Sequence, residues 1–288
     1  MKDLQRVLMG LSLAAVFTSY VVAQEMQGPP KVLYITREFI KPGKAGAIHD
    51  KSESNFVSAL ARAKWPTHYF AVNSLSGKTR ALYFTGYDSF AAWEKDNLAT
   101  MKDKALSAEL DRAGVADGEL LDSMDEFVFT YDPDLSYKST TSFDHVRYLE
   151  ITSVHVKVGH MHEFHELSQL IIDTHKKAGD SAHWDAFELA YGGDDEYIFV
   201  SPDKSMSEID TGFAEDKQFR DALGEDGMKR LSDLEADCIQ EVGTELFSIN
   251  PAQSYPPEDW VKADPDFWKP AAAMPAAKAA PAARKPAQ

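Results

Sequence analysis

The feature that most constrains this chain is that it contains the same stretch twice. Ile35-Thr36-Arg37-Glu38-Phe39-Ile40-Lys41-Pro42-Gly43 lines up with Ile151-Thr152-Ser153-Val154-His155-Val156-Lys157-Val158-Gly159 at an offset of 116, with Ile, Thr, Lys and Gly coinciding. At the same offset His49-Asp50 meets His165-Glu166. Thr67-His68-Tyr69-Phe70-Ala71 meets Ala182-His183-Trp184-Asp185-Ala186 at 115, and Tyr83-Phe84 meets Ile198-Phe199 at that offset. Asp132-Pro133-Asp134-Leu135-Ser136-Tyr137 meets Asn250-Pro251-Ala252-Gln253-Ser254-Tyr255 at 118. Matches that keep their order with so little drift identify an internal duplication, and a duplication makes each copy one structural unit.

Both copies read alike. An alternating strand (32–40; 146–157) ends at a glycine and passes into a helix (44–64; 160–177) with apolar residues at helical spacing, Ile48, Phe56 and Leu60 in one copy and Phe164, Leu167 and Ile171 in the other. A hairpin follows (67–75 and 79–85; 182–190 and 196–200), turning at Gly77 and at Gly192-Gly193. Short helices come next (89–96 and 102–112; 213–223 and 225–238), and a last strand closes each unit (126–131; 244–249). The order β-α-β-β-α-β is that of a ferredoxin-like unit. Such a sheet carries helices on one face only, so two fused copies can bury their bare faces against each other. The predicted fold is α+β, with two ferredoxin-like repeats whose sheets pack as a pseudo-dimeric α+β barrel.

The ends have a different character. Lys2 and Arg6 precede an apolar run from Val7 to Val22 that closes on Val21-Val22-Ala23, the pattern of a cleaved export signal. The run is shorter than the about 20 residues that span a bilayer. The expected organisation is a signal over 1–23, repeats over 24–140 and 141–256, and a disordered tail rich in Pro, Ala and Lys over 257–288. The mature protein is then periplasmic or secreted, with no membrane span once the signal is removed. A net charge of −16 opposes nucleic acid, whose binders cluster Lys and Arg. Cys238 is the single cysteine, which excludes an internal disulfide and a cysteine zinc site.

In element order and duplication, over residues 31–255, the chain resembles a single-chain form of the dimeric α+β barrel superfamily. That group includes antibiotic-biosynthesis-type monooxygenases, NIPSNAP-like proteins and tandem-repeat haem proteins of the chlorite dismutase type. Ala63-Lys64-Trp65-Pro66-Thr67-His68-Tyr69 and Gly86-Tyr87-Asp88-Ser89-Phe90-Ala91-Ala92-Trp93-Glu94 resemble stretches of uncharacterised exported bacterial proteins. No catalytic residue carries over. The resemblance implies a small, apolar ligand in a helix–sheet pocket and, by fold analogy, a cofactor-independent oxygenase-like activity.

The residues leave three readings open. Seven of nine histidines lie in the second copy. There His162, His165 and Glu166 share a helix face at spacings that suit a divalent metal; the alternative is a solvated helix start. His49 and His165 hold matching positions, as general base, haem ligand or packing histidine. His68-Tyr69 and His183-Trp184 form a second matched pair on strands, where one of each two neighbours faces inward. Arg37 and Glu150 are strand charges that require partners if buried. The first reading is a small-molecule-binding barrel, the second a haem or metal protein using histidines of the second repeat, and the third a non-enzymatic envelope scaffold. A monomeric pseudo-dimer suffices for the barrel; a homo-oligomer is compatible with it.

Overall fold

The structure is a computed structural model that describes residues 28–140, 142–193 and 196–269. The expected signal, 1–23, and the tail from Pro270 onward lie outside the described residues.

Each repeat forms a four-stranded antiparallel sheet. In the first, β1 (Val32–Ile40) lies between β4 (Leu121–Tyr137) and β3 (Arg80–Tyr87), with β2 (Tyr69–Ser74) beyond β3. In the second, β5 (Tyr148–Val156) lies between β8 (Ile239–Ile249) and β7 (Glu196–Asp203), with β6 (Trp184–Tyr191) beyond β7. β2 pairs with β8 and β4 with β6, so the order β1-β3-β2-β8-β5-β7-β6-β4 closes into a barrel. Among the described residues, closure gives every strand a partner on both sides over part of its length, which removes a free edge strand.

Alternation along each strand divides the two faces. Leu33 and Ile35 of β1, Leu149 and Ile151 of β5, and Phe84, Phe187 and Phe247 fill the barrel interior. Neighbouring residues face outward, where α1 (Ala47–Ala63) and α3 (Lys104–Gly118) cover the first sheet. α2 (Phe90–Lys102) lies between β3 and α3, with Trp93 against Tyr34 and Tyr87. α4 (Met161–Ala178) and α5 (Met206–Cys238) cover the second sheet. The two helices expected at 213–223 and 225–238 are divided as expected at Gly224, whose φ of 74° and ψ of 174° lie outside the helical region, but the first of them begins earlier, at Met206.

The closing turns tie the repeats together. Ser136 donates to Asp132 O and accepts from Ala186 N of the second repeat. Ser254 donates to Asn250 O and accepts from Ala71 N of the first. Each turn therefore lies over the other repeat, carrying Leu135 in one case and Gln253, in the 3-10 turn Pro251–Gln253, in the other; both are fully buried.

Part of the stretch expected as tail from 257 is ordered. Residues 258–268 form α6 (Glu258–Ala263) and α7 (Pro265–Trp268), which close one end of the barrel. Trp268 is buried and donates from its indole to Asp144 O, while Trp260 packs beside Phe70 and Phe143. Three large aromatic groups within nine residues, Trp260, Phe267 and Trp268, bury enough apolar area to order a segment whose composition otherwise reads as tail.

Candidate metal centre

The two repeats share a helix–sheet interface, and they fill it with opposite chemistry. In the first, Glu38 projects from the outer face of β1. His49 and Glu53, four apart on the first half of α1, share the face turned to the sheet. Asp117 comes from the last turn of α3, and Gln253 from the closing turn of the second repeat. All five are at most 7% exposed.

His49 Nε2 lies 3.1 Å from Glu38 Oε2 and 3.6 Å from Asp117 Oδ1. The Gln253 amide donates to His49 Nδ1 (3.0 Å) and to Asp50 Oδ1 (3.0 Å), which also accepts from Asn250 Nδ2. Both ring nitrogens are thereby oriented, Nδ1 on the Gln253 amide and Nε2 toward Glu38 and Asp117. Glu53 Oε1 and both oxygens of Asp117 are buried without a hydrogen-bond partner. Among the described residues, no Lys or Arg pairs with these three carboxylates. Burial, then Glu38 and Asp117, push the Glu53 carboxyl up to about 9. The neighbouring phenols of Tyr69 and Tyr83 are raised by burial and by the same carboxylates.

The second repeat serves as an internal control. By strand register Val154 stands where Glu38 does, and Phe199 where Tyr83 does. The buried face of α1 (His49, Glu53, Ala59) matches that of α4 (Phe164, Ser168, Thr174) at an offset of 115. Leu234 takes the place of Asp117, in the register set by Lys41 Nζ on Glu119 O and Lys157 Nζ on Ala236 O. Leu135 takes the place of Gln253. The second interface is an ordinary apolar cluster of Val154, Phe164, Leu234 and Leu135. The fold therefore does not require the polar set.

One ligand atom from each of Glu38, His49, Glu53 and Asp117 can be chosen so that all lie within 4.8 Å of one another. Ligands about 2.1 Å from a shared ion on opposite sides are about 4.2 Å apart, so a small contraction would bring all four onto one ion. One imidazole with three carboxylates suits manganese, iron(II) or zinc. The ion would supply the positive charge that the cluster lacks.

The residues picked out in the sequence are distributed differently. His49 belongs to this centre, and Tyr69 packs against Tyr83 at its edge. The expected partner of His49, His165, is exposed, because the loop before α4 shifts the helix register by one residue and puts Phe164 inward. The metal set His162, His165 and Glu166 is not assembled: all three are exposed, and Glu166 pairs with Arg230. His68 stacks on Tyr255 at 4.7 Å. His183 is committed at both ring nitrogens to the carbonyls of Ser181 and Pro202, and Trp184 donates to Leu135 O on the outer side of the barrel. Glu150 is half-buried on an outer face, its carboxyl raised by burial. Arg37 lines one barrel mouth, held by Asp125 (2.7 and 3.2 Å). Glu38, Glu53 and Asp117 escaped sequence reading; the signal available was the four-residue spacing of His49 and Glu53 following a strand with a lone outward carboxylate.

Haem, the cofactor expected from tandem members of the resembling group, does not fit. Val154, Phe164, Leu167 and Leu234 fill the second helix–sheet interface, and neither His165 nor His183 faces an open space there. Large side chains pack the barrel interior, and an opening of about 50 Å³ lies at the mouth lined by Arg37, Arg80 and Phe127. That opening is small beside the roughly 300 Å³ of a typical small-molecule pocket.

No protein-family model matches the sequence, and no curated protein matches it. The fold does have counterparts among solved structures. A monooxygenase-like protein of Fusobacterium nucleatum is similar with a TM-score of 0.50 at 11% identity, over 77% of this chain and 93% of that one. An anthrone oxidase-like protein gives 0.49 at 13% identity over 76% and 92%. A chlorite dismutase mutant of Candidatus Nitrospira defluvii gives 0.45 at 8% identity over 84% and 98%. Identities this low speak for fold alone. The closed eight-stranded barrel built from two ferredoxin-like repeats is therefore a fold this chain shares with these structures, with both halves of the barrel in one chain.

Proposed function

We propose that this protein is an exported metal-binding α+β barrel whose resident divalent cation is held by Glu38, His49, Glu53 and Asp117. The observation that carries the reading is the unpartnered carboxylate oxygen of Glu53 and the two of Asp117, buried beside His49 where the other repeat has only apolar side chains and Ser168. Burial beside Glu38 and Asp117 leaves Glu53 holding its proton, and a cation that displaces this proton supplies the counter-charge the cluster lacks. Because its ligands come from β1, α1 and α3, the ion fastens the helices of the first repeat to its sheet, and Gln253 of the other repeat braces His49. The site is closed to solvent on every side by these elements, so the role of the ion is to hold the fold rather than to meet a substrate. The apolar run over residues 7–22 supports export.

The test is metal analysis of the full chain purified from the exported fraction, followed by melting with and without chelator. About one equivalent of manganese, iron or zinc is expected, and chelation lowers the melting temperature by several degrees, because ligand at a thousandfold excess over Kd stabilises by about 4 kcal/mol. D117N and H49F are expected to lose the metal and the chelator response together. Absence of metal after reconstitution with each of the three ions, with a melting temperature indifferent to chelator, would overturn the reading.

A further inference from the structure

The second repeat differs from the first at another place, where it opens a groove. In the first repeat Trp65, just past the end of α1, lays its indole against α2 and donates to Asp96 Oδ1 at 3.0 Å; the hydroxyls of Thr67 and Tyr87 donate to the same carboxylate. At the matching positions, 115 and 116 residues on, stand Asp180 and Gly212. An indole and its acceptor are replaced by a short carboxylate and a glycine, and about 220 Å³ is left between the end of α4 and the first half of α5.

Into this groove the chain sets an oriented imidazole. His175 is 19% exposed, tilted against Phe219 (4.5 Å between centroids) and edge-on to Trp184 (5.4 Å). Its Nδ1 is 2.7 Å from Oδ2 of buried Asp180, whose Oδ1 accepts from Ala182 N. With the Nδ1 proton committed to Asp180, Nε2 is the ring's acceptor, and a paired carboxylate makes it a stronger one. Glu215 is held across the groove by Ser181, whose N–H and hydroxyl both donate to Oε2 (2.9 and 2.6 Å), leaving Oε1 without a bond from them. Asp216 stands at the rim, 3.4 Å from Arg220, and Lys138 is drawn off to Asp180 O. The lining therefore offers three carboxylates, one imidazole acceptor, an aromatic ring and no Lys or Arg.

We propose that this groove is a second binding site, for a small organic ammonium ion whose N–H groups bond His175 Nε2 and Glu215 and whose alkyl part lies against Phe219. Acidic acceptors around a cation beside an aromatic ring are the chemistry that recognises ammonium groups. The volume limits the ligand to a few carbons, since ordinary pockets for larger molecules start at roughly 300 Å³. The groups do not converge as the metal ligands do: among the described residues, the first-repeat set alone brings three or more such ligand atoms within 4.8 Å of one another. The site is thus independent of the metal reading.

The probe is n-butylammonium chloride titrated calorimetrically into the full chain, with butan-1-ol as the uncharged molecule of the same shape. Saturable binding of one equivalent of the ammonium and none of the alcohol is expected. E215Q keeps the Ser181 bonds on an exposed side chain, and with H175N it should weaken binding at least tenfold at nearly unchanged melting temperature. D117N should leave binding intact. No saturable binding, equal binding of the alcohol, or an affinity unchanged in E215Q overturns the proposal; E215Q decides the matter even if H175N fails to fold.

Discussion

His49 and Phe164 stand at the same point on two copies of one helix, and the contrast shows how little of a site a retained residue type reveals. The sequence pairs His49 with His165, yet the buried faces of α1 and α4 align one residue differently, so the matched histidine is on the surface. His49 was legible; the carboxylates around it were not, because Glu38, Glu53 and Asp117 are 11, 4 and 68 residues away from it and acquire meaning only once the sheet, both helices and the closing turn meet. Other buried carboxyls carry a consequence for pH. Asp185 and Asp203 are buried, each with an oxygen lacking a partner, and burial pushes both up to about 6; Glu150 and Glu208 raise Asp203 further, while His183 lowers both. In the unfolded chain the same groups titrate near 3.9. The folded state therefore holds their protons more tightly, so their contribution to stability is fully present below about pH 4, falls as pH rises, and is lost above about 6. Between pH 4 and 7 the D185N/D203N variant should gain on the wild type by up to roughly 4 kcal/mol in urea unfolding, about 2 kcal/mol for each carboxyl. A difference that stays flat across that range would mean that neither carboxyl is perturbed.

At the scale of elements, strand and helix order was legible because periodicities of 2 and 3.6 survive even where the two copies share few residues. Boundaries were less so. β4 begins at Leu121 rather than at 126, since Ser123 and Met124 pair with β1 at the barrel's end while their side chains stay exposed, and Asp122 falls at a bulge, which removes the apolar alternation. The helix ends show the duplication again: α1 stops at Lys64 and α4 at Gly179, both left-handed, with φ of 50° and 69°. Only one of these residues suits that conformation, since a side chain there costs about 1 kcal/mol that glycine avoids. Lys64→Gly is expected to raise stability by roughly 0.5 kcal/mol, the remainder being offset by the added freedom of the unfolded chain. The urea midpoint at unchanged slope reports this directly, and a lowered midpoint would mean that Lys64 makes a contact worth more than its backbone strain.

Over the whole molecule, duplication and barrel closure answer the same physical need. Each sheet has one face without helices, and only a second sheet can bury it; fusing the copies makes that encounter intramolecular, and Phe84, Phe187 and Phe247 then meet inside one barrel. Once both halves lie in one chain, each is free to change alone. The first has put a charged cluster where the second keeps an apolar core, and the second has opened a groove where the first keeps an indole. This makes the second repeat a design for removing the metal centre from the first. The variant E38V/H49F/E53S/Y83F/D117L/Q253L copies the residues of one interface into the other, in backbone positions already shown to accept them. Exchanging a buried ionic set for well-packed apolar residues is commonly neutral or stabilising by about 1–4 kcal/mol. If the polar set exists to hold an ion, this variant should take up no metal, ignore chelator, and melt above the chelator-stripped wild type although below or near the metal-loaded one. If it instead melts well below the stripped wild type, the polar network is itself what holds this interface together, and the ion is not the reason for its presence.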